Sequence, residues 1–166
     1  MDKELEDLSV RVGQALLERK SMLACAESCT GGGLAHRITN VPGASAVFLG
    51  GFVTYSNAMK ETFLGVRRET LVQDGAVSEA VAREMAEGAR QQTGADYALS
   101  VTGIAGPDGG TAEKPVGTVF IGLASREGVM AKKFLNRFDR ETFKYVTSQQ
   151  ALEMVRRSAL GLKLTA

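Results

Sequence analysis

The segment AESCTGGG, residues 26–33, carries the first group of residues that could do chemistry. Ser28 follows a short apolar stretch and precedes three glycines and a predicted helix. Such a strand–turn–helix junction brings a hydroxyl next to backbone N–H groups that lack partners within the helix and suit a developing oxyanion. Ser28 is therefore a candidate nucleophile. The alternative role is a helix N-cap, which serine often fills.

A second group lies in TYSNAMK, residues 54–60, where Tyr55 and Lys60 span a predicted strand-to-helix junction. A lysine acts as a general base only if burial or a cationic neighbour lowers its pKa. Paired with a serine, it could take the hydroxyl proton and later pass it to a leaving amine, while Tyr55 could hold or relay that proton. Considered singly, the alternatives are a solvated lysine and a packing tyrosine.

The third group is TGIAGPDGGTAEKPVG, residues 102–117, which is rich in glycine and proline. Long ordered loops commonly line a site, and here Thr102 and backbone N–H groups could bind a phosphate or a carboxamide. Neither this loop nor AESCTGGG contains the P-loop pattern, in which Gly-Lys-Ser/Thr follows five residues after a glycine, or the dinucleotide fingerprint. The absence of GxSxG around Ser28 argues against an α/β-hydrolase.

Alternating helical and strand patterns predict the elements that would position these residues. A Gly50-Gly51 pair inside one predicted strand indicates a bulge or a close backbone approach. Because the last two strands form a hairpin, the expected fold is a three-layer α/β/α sandwich with a mixed, mainly parallel sheet. The predicted helices cover residues 3–19, 34–38, 57–64 and 79–93 (capped by Ser78) and a segment from Arg140, and the strands residues 22–26, 47–54, 97–101, 118–124 and 129–135.

Composition bounds the class of protein. The 166 residues favour one domain, 1–166, and a net charge of +1 with 6% aromatics gives no indication of nucleic-acid binding. No signal peptide and no apolar run of about 20 residues is visible, so we expect a cytoplasmic protein without membrane contact. Two cysteines and one histidine fall short of a zinc site, so no metal or other cofactor is expected.

Taken together, the motifs closely resemble those of the CinA C-terminal domain family. The resemblance covers almost the whole chain in the same order. It rests on AESCTGG, on Tyr-Ser-Asn-x-x-Lys at residues 55–60, on GAVSE at 75–79, on TGIAGPDGG at 102–110 and on KPVG at 114–117. Larger family members carry an additional N-terminal molybdopterin-binding-like domain. Because this chain begins at the helix before AESCTGG, it resembles the short single-domain form.

The resemblance implies hydrolysis of nicotinamide mononucleotide to nicotinate mononucleotide and ammonia, within pyridine nucleotide salvage. It places the family's serine–lysine pair at Ser28 and Lys60 and its tyrosine at Tyr55. It also implies a homodimer or larger homo-oligomer. The residues expected to bind the oxyanion or the substrate are Thr30, Gly31, Gly32, Thr102, Gly103 and Gly106.

The phosphate of such a substrate requires cationic partners. The family commonly shows Gly-Asp-Arg-x-x-Val-Arg at the start of its last helix, where this chain has FDRETFK at residues 138–144. Arg140 is retained, but Lys144 replaces the second arginine and lacks the bidentate fork that suits phosphate. We expect Arg140 and Lys144 to bind the phosphate, with this part of the resemblance altered.

Two alternative functions are compatible with the sequence. Cys29 adjoins Ser28 and could be the nucleophile if a lysine or a helix N-terminus lowered its pKa. In a different class, the chain could be a catalytically silent nucleotide-binding module linked to competence or to the DNA-damage response. The intact set of Ser28, Tyr55 and Lys60 favours an enzyme, because a binding module needs no matched nucleophile and base.

Overall fold

A computed structural model describes residues 7–164 and contains one five-stranded sheet. Its strand order is β2-β1-β3-β4-β5. β1 pairs in parallel with β2 and β3, whereas β4 is antiparallel to both β3 and β5, so only β4 runs against the other four. The strands are Leu23–Glu27 (β1), Phe48–Val53 (β2), Tyr97–Gly103 (β3), Thr118–Ser125 (β4) and Gly128–Leu135 (β5).

Helices cover both faces of this sheet. The helices are Leu8–Glu18 (α1), Gly33–Thr39 (α2), Asn57–Leu64 (α3), Arg68–Asp74 (α4), Glu79–Thr93 (α5) and Arg140–Ala159 (α6). One apolar core joins α1, α2 and α6 to the sheet, and a second joins α3, α4 and α5 to its opposite face. The predicted three-layer α/β/α sandwich with a mixed, mainly parallel sheet is therefore confirmed.

Layering explains the burial of the strands. All five residues of β1 are buried, because helices cover both faces of a strand that also has a neighbour on each side. In β3, Leu99 and Val101 enter the core with α6, while Ala98 enters the core with α5. Alternate side chains of one strand thus belong to different cores, as the period of two requires.

Most predicted elements are present with shifted ends. The helix at residues 57–64 and the Ser78-capped helix have the predicted bounds, and the strand predicted at residues 22–26 is one residue late. The first helix was predicted over residues 3–19; it covers Leu8–Glu18, and residues 3–6 lie outside the described part. Helix α4 was not predicted, because it is only seven residues long and no side chain caps its N-terminus.

The Gly50-Gly51 prediction is also confirmed. The pairing of β1 with β2 skips Leu49, which marks a bulge between Phe48 and Gly50. A Cβ on Gly51 would lie 2.8 Å from the Cys25 sulfur, so the strands approach too closely there for a side chain.

Gly88 in α5 offers a stability test, because a Cβ there would lie 1.9 Å from the carbonyl oxygen of Leu64, the last residue of α3. We expect Gly88→Ala to lower the free energy of unfolding by roughly 2–3 kcal/mol, since a backbone must move. Gly13, inside α1, has no atom within 4 Å of such a Cβ. Gly13→Ala should therefore stabilise by about 0.5–1 kcal/mol. Urea unfolding of both variants measures the two changes in the free energy of unfolding, which should have opposite signs. Equal changes would contradict the close approach of Gly88 to Leu64.

Candidate active site

The carboxyl ends of β1, β2 and β3 meet at one edge of the sheet, where ligands of α/β proteins usually bind. A cavity of about 270 Å³ lies at this edge. It brings together most of the side chains and loop positions that the sequence singled out. The predicted site residues that line it are Ser28, Tyr55, Lys60, Thr102, Gly103, Gly106 and Arg140.

Ser28 and Lys60 are in direct contact. The Lys60 Nζ donates a hydrogen bond of 3.0 Å to Ser28 Oγ. The same Nζ donates to the carbonyl oxygens of Thr54 at 2.9 Å and Tyr55 at 3.0 Å. Lys60 is 1% exposed, so these three acceptors replace the water that a surface ammonium would have.

Burial lowers the pKa of Lys60 from 10.5, because a dry environment disfavours the charged ammonium. Among residues 7–164, no carboxylate lies within 4.0 Å of its Nζ to restore that charge. When Lys60 is neutral, its two N–H groups match the two carbonyls, and its lone pair is left facing Ser28 Oγ. This is the arrangement that a general base for serine needs.

Local structure aims Lys60 inward. Ser56 caps α3 by accepting from the Met59 N–H at 3.2 Å, and Gly65 ends the helix in the left-handed region with φ of +70°. Lys60 and Leu64, one turn apart, form the buried face of this short helix. A lysine thus occupies a position that the 3.6-residue period assigns to the core.

Tyr55 contributes to the pair through its main chain. Its carbonyl accepts from Lys60, whereas its side chain is 63% exposed and its phenol oxygen lies 3.4 Å from Arg140 Nη2, which donates to it. Among the hydrogen bonds of residues 7–164, the phenol bonds to Arg140 and not to Ser28 or Lys60, and its role as holder or relay of the serine proton stays a prediction. A phenol turned towards Arg140 lines the cavity instead of touching Lys60 or Ser28.

Ser28 is not a helix cap. Helix α2 begins at Gly33, and its N-cap is Gly32, which has φ of +103° and no side chain to offer. The carboxylate of Glu27 takes this role: Oε1 accepts from the Leu34 N–H at 2.8 Å and Oε2 from the Ala35 N–H at 3.0 Å. Glu27 is not among the predicted site residues, although a lone acid after an apolar strand and just before a glycine-rich helix start indicates a helix cap.

The predicted oxyanion donors must also be revised. The Gly31 N–H already donates to the Ser28 carbonyl at 3.1 Å, so Gly31 shapes the turn and is not a free donor. Within residues 7–164, the N–H groups of Cys29, Thr30 and Gly32 have no such partner. Cys29 lines the cavity, whereas Thr30, Gly31 and Gly32 do not. The N–H groups next to Ser28 are thus the available donors.

The long loop lines the other side of the cavity. The Thr102 hydroxyl donates a hydrogen bond of 2.8 Å to the Ala76 carbonyl. Thr102 therefore links two segments of the chain and also lines the cavity. A Cβ on Gly103 would lie 2.8 Å from the Thr118 carbonyl oxygen. A Cβ on Gly106 would lie 2.4 Å from the Val116 side chain. Neither position has room for a side chain, so both glycines present only backbone atoms to the cavity.

The two expected phosphate ligands are separated. Arg140 begins α6, lines the cavity and donates from Nη1 to the Gly106 carbonyl at 2.7 Å. Lys144, one turn later, does not line it. Its Nζ lies 3.7 Å from the place that a Cβ on Gly31 would occupy. Arg140 alone has the position expected of a ligand contact, and Lys144 lies beside the Gly31 turn.

Cys29 lines the cavity but is a poor nucleophile, because burial raises the pKa of its thiol to about 12. We expect iodoacetamide to alkylate it at neutral pH about three orders of magnitude more slowly than a free cysteine, since so little thiolate is present. Mass spectrometry of the folded and the denatured protein measures the difference. Rapid alkylation of folded protein at Cys29 would restore the cysteine alternative.

Neither a metal-binding cluster nor a membrane-spanning helix is found among residues 7–164. They contain no group of three or more histidine, cysteine, aspartate or glutamate side chains arranged to hold a metal ion. None of their helices combines the length and the apolar character that crossing a membrane would require.

Comparisons with known proteins show the family to which the chain belongs. A family model for the CinA C-terminal domain matches residues 5–159. The nicotinamide-nucleotide amidohydrolase PncC of Enterobacter agglomerans is 55% identical over 84% of this chain and 86% of that protein. A CinA-like protein of Geotalea uraniireducens is 50% identical over 95% of this chain, which spans only 38% of that relative. The crystal structure of competence/damage inducible protein CihA from Agrobacterium tumefaciens superposes with a TM-score of 0.86 at 43% identity, covering 89% of this chain and 91% of that one.

Proposed function

The chain belongs to the CinA C-terminal domain family, and from this premise we propose that it hydrolyses the carboxamide of nicotinamide mononucleotide. The products are nicotinate mononucleotide and ammonia, which places the reaction in pyridine nucleotide salvage. The observation that carries the proposal is the 3.0 Å contact between Lys60 Nζ and Ser28 Oγ inside a cavity. Similarity to a relative of the stated activity over most of both chains supports the substrate.

In the first step, neutral Lys60 takes the proton of the Ser28 hydroxyl while Oγ forms a bond to the amide carbon. The carbonyl oxygen becomes an oxyanion. The N–H groups of Cys29 and Thr30, which donate to no backbone carbonyl of residues 7–164, are the candidates to bind it, a contribution typically worth about 3–4 kcal/mol per donor. The positive charge of the pyridinium ring withdraws electrons from the carboxamide, so the substrate assists the attack.

Collapse of this intermediate breaks the C–N bond. Lys60, now an ammonium, returns its proton to the departing nitrogen and ammonia leaves. A water molecule then attacks the acyl-serine while Lys60 accepts a proton from that water. As the ester bond breaks, Lys60 returns this proton to Ser28 Oγ, which restores the hydroxyl and the neutral amine. The carbonyls of Thr54 and Tyr55 keep their hydrogen bonds to Nζ in both protonation states, which holds the base in place throughout.

Arg140 is the residue we assign to the substrate phosphate, because its guanidinium lines the cavity and retains donors beyond its bond to Gly106. Lys144 lies outside the lining and is assigned a longer-range role in attracting the anion.

Ammonia release from nicotinamide mononucleotide tests the proposal directly, with nicotinate mononucleotide identified by chromatography. Nicotinamide riboside and nicotinamide serve as controls that lack the phosphate or the whole ribose phosphate. We expect kcat/KM to be highest for nicotinamide mononucleotide, lower for nicotinamide riboside and lowest for nicotinamide. Binding of the mononucleotide without ammonia release would instead support the silent nucleotide-binding module.

A further inference from the structure

We infer that Glu27 is a positioning residue for the proposed reaction. Its carboxylate holds the turn at residues 28–32 in a shape that keeps Ser28 Oγ against Lys60 Nζ and leaves the N–H groups of Cys29 and Thr30 without a backbone carbonyl of residues 7–164 to donate to. The inference rests on the proposed function, but it concerns a residue that neither bonds to Lys60 nor itself lines the cavity.

Glu27 is 1% exposed, and no cationic side chain within residues 7–164 lies within 4.0 Å of its carboxylate. An unpaired buried carboxylate is costly unless hydrogen bonds replace its water. Its replacement donors are the N–H groups of Leu34 and Ala35, one for each oxygen, at the positive end of the α2 dipole, and the Cys25 thiol, whose Sγ lies 3.8 Å from Oε2. Both oxygens are therefore committed to the start of α2.

These two bonds span the turn. Their donors lie seven and eight residues after Glu27, so they close a ring around the segment that contains Ser28. The strand end of that ring is fixed by the sheet, because the Thr54 N–H donates to the Glu27 carbonyl at 2.8 Å and the Ser28 N–H donates to the Val101 carbonyl at 3.0 Å. The carboxylate fixes the helix end relative to the strand end.

The consequence concerns the hydroxyl of Ser28. Serine is itself a good cap for a helix N-terminus, and here those N–H groups are already occupied by Glu27. In a Glu27→Gln protein, the amide has one acceptor oxygen, and its NH₂ group faces a second donor. One of the two N–H groups at the start of α2 then loses its acceptor. We expect the turn to change shape so that another oxygen accepts from this N–H.

The test compares Glu27→Gln with Asp7→Asn. Asp7 is a carboxylate cap on α1 that accepts from the Ser9 N–H at 2.8 Å and does not line the cavity. For each folded variant, kcat and KM for the mononucleotide are measured, together with the rate at which a fluorophosphonate labels Ser28. We expect Glu27→Gln to lower kcat and the labelling rate about 100-fold, with KM changed less than about threefold. Asp7→Asn should leave all three unchanged.

Parent-like kcat and labelling in folded Glu27→Gln would overturn the inference, as would equal losses in both variants. If Glu27→Gln does not fold, Glu27→Asp keeps both oxygens one methylene further back and should show smaller losses in the same direction. A parent that releases no ammonia but is labelled at Ser28 defeats the proposed function alone, and the labelling rates still decide the role of Glu27. A parent with an unreactive Ser28 overturns both.

Discussion

Ser28→Ala should lower kcat for ammonia release by roughly 10⁴-fold or more, because it removes the hydroxyl that contacts Lys60 and can form an acyl-enzyme. KM should change little, since the hydroxyl is small and the cavity keeps its other lining residues. A weak residual rate is expected from the backbone donors and from substrate binding. Ammonia release under saturating substrate measures the effect.

Ser21→Ala is the matched control for this variant. Ser21 precedes β1 at its opposite end, where its hydroxyl donates to the Arg19 carbonyl at 3.2 Å. It should retain the parental kcat. If Ser28→Ala kept more than about a tenth of the parental rate, the nucleophile would lie elsewhere, and Cys29 would be the next residue to replace.

Lys60→Met should be almost as damaging, with kcat lowered by at least about 10³-fold. Methionine fills a similar volume without a nitrogen, so the loss reports on the base and not on a large cavity. In the parent, the rate should rise with pH as the ammonium of Lys60 loses its proton, with a midpoint below 10.5 because burial lowers this pKa. A plot of kcat against pH measures this rise and its midpoint.

Lys60→Arg separates charge from basicity. Arginine keeps a cation and N–H donors but does not deprotonate in proteins, so it should be inactive at every pH. Activity in Lys60→Arg, or a parental profile without an ascending limb, would contradict the role of general base. Thr93→Ser, a small change at the far end of α5, controls for handling of the variants.

Much of the fold was predictable because its signals are local. Ser78 and Gly94 bracket α5 as the capping rules require, and the hairpin of β4 and β5 follows from two apolar runs around a short turn. Helix α4 was missed because seven residues without a capping side chain give a weak periodic signal. The bounds of β1 shifted by one residue because its last residue, Glu27, is buried despite its charge.

Most residues that line the candidate site could be predicted from the sequence, but their contacts could not. Motif resemblance singled out Ser28 and Lys60, whose contact depends on how α3 is placed against the end of β1. No local pattern indicates that the carbonyls of Thr54 and Tyr55 serve Lys60, or that Gly31 donates to Ser28. Which backbone carbonyl accepts a given hydrogen bond depends on the folded path of the chain. The side-chain types in the sequence do not reveal it.

The buried Lys60 also shapes the folding equilibrium. In the unfolded chain its pKa returns to 10.5, so between the folded pKa and 10.5 the unfolded state holds more protons than the folded one. The free energy of unfolding therefore gains a contribution that grows as pH rises through this window, and below the window the full penalty of a buried ammonium persists. Urea unfolding from neutral pH to about 10 should show a flatter curve for Lys60→Met than for the parent. The burial that makes Lys60 a base for Ser28 therefore lowers the free energy of unfolding at neutral pH. Deprotonation of Lys60 in alkali removes this destabilisation.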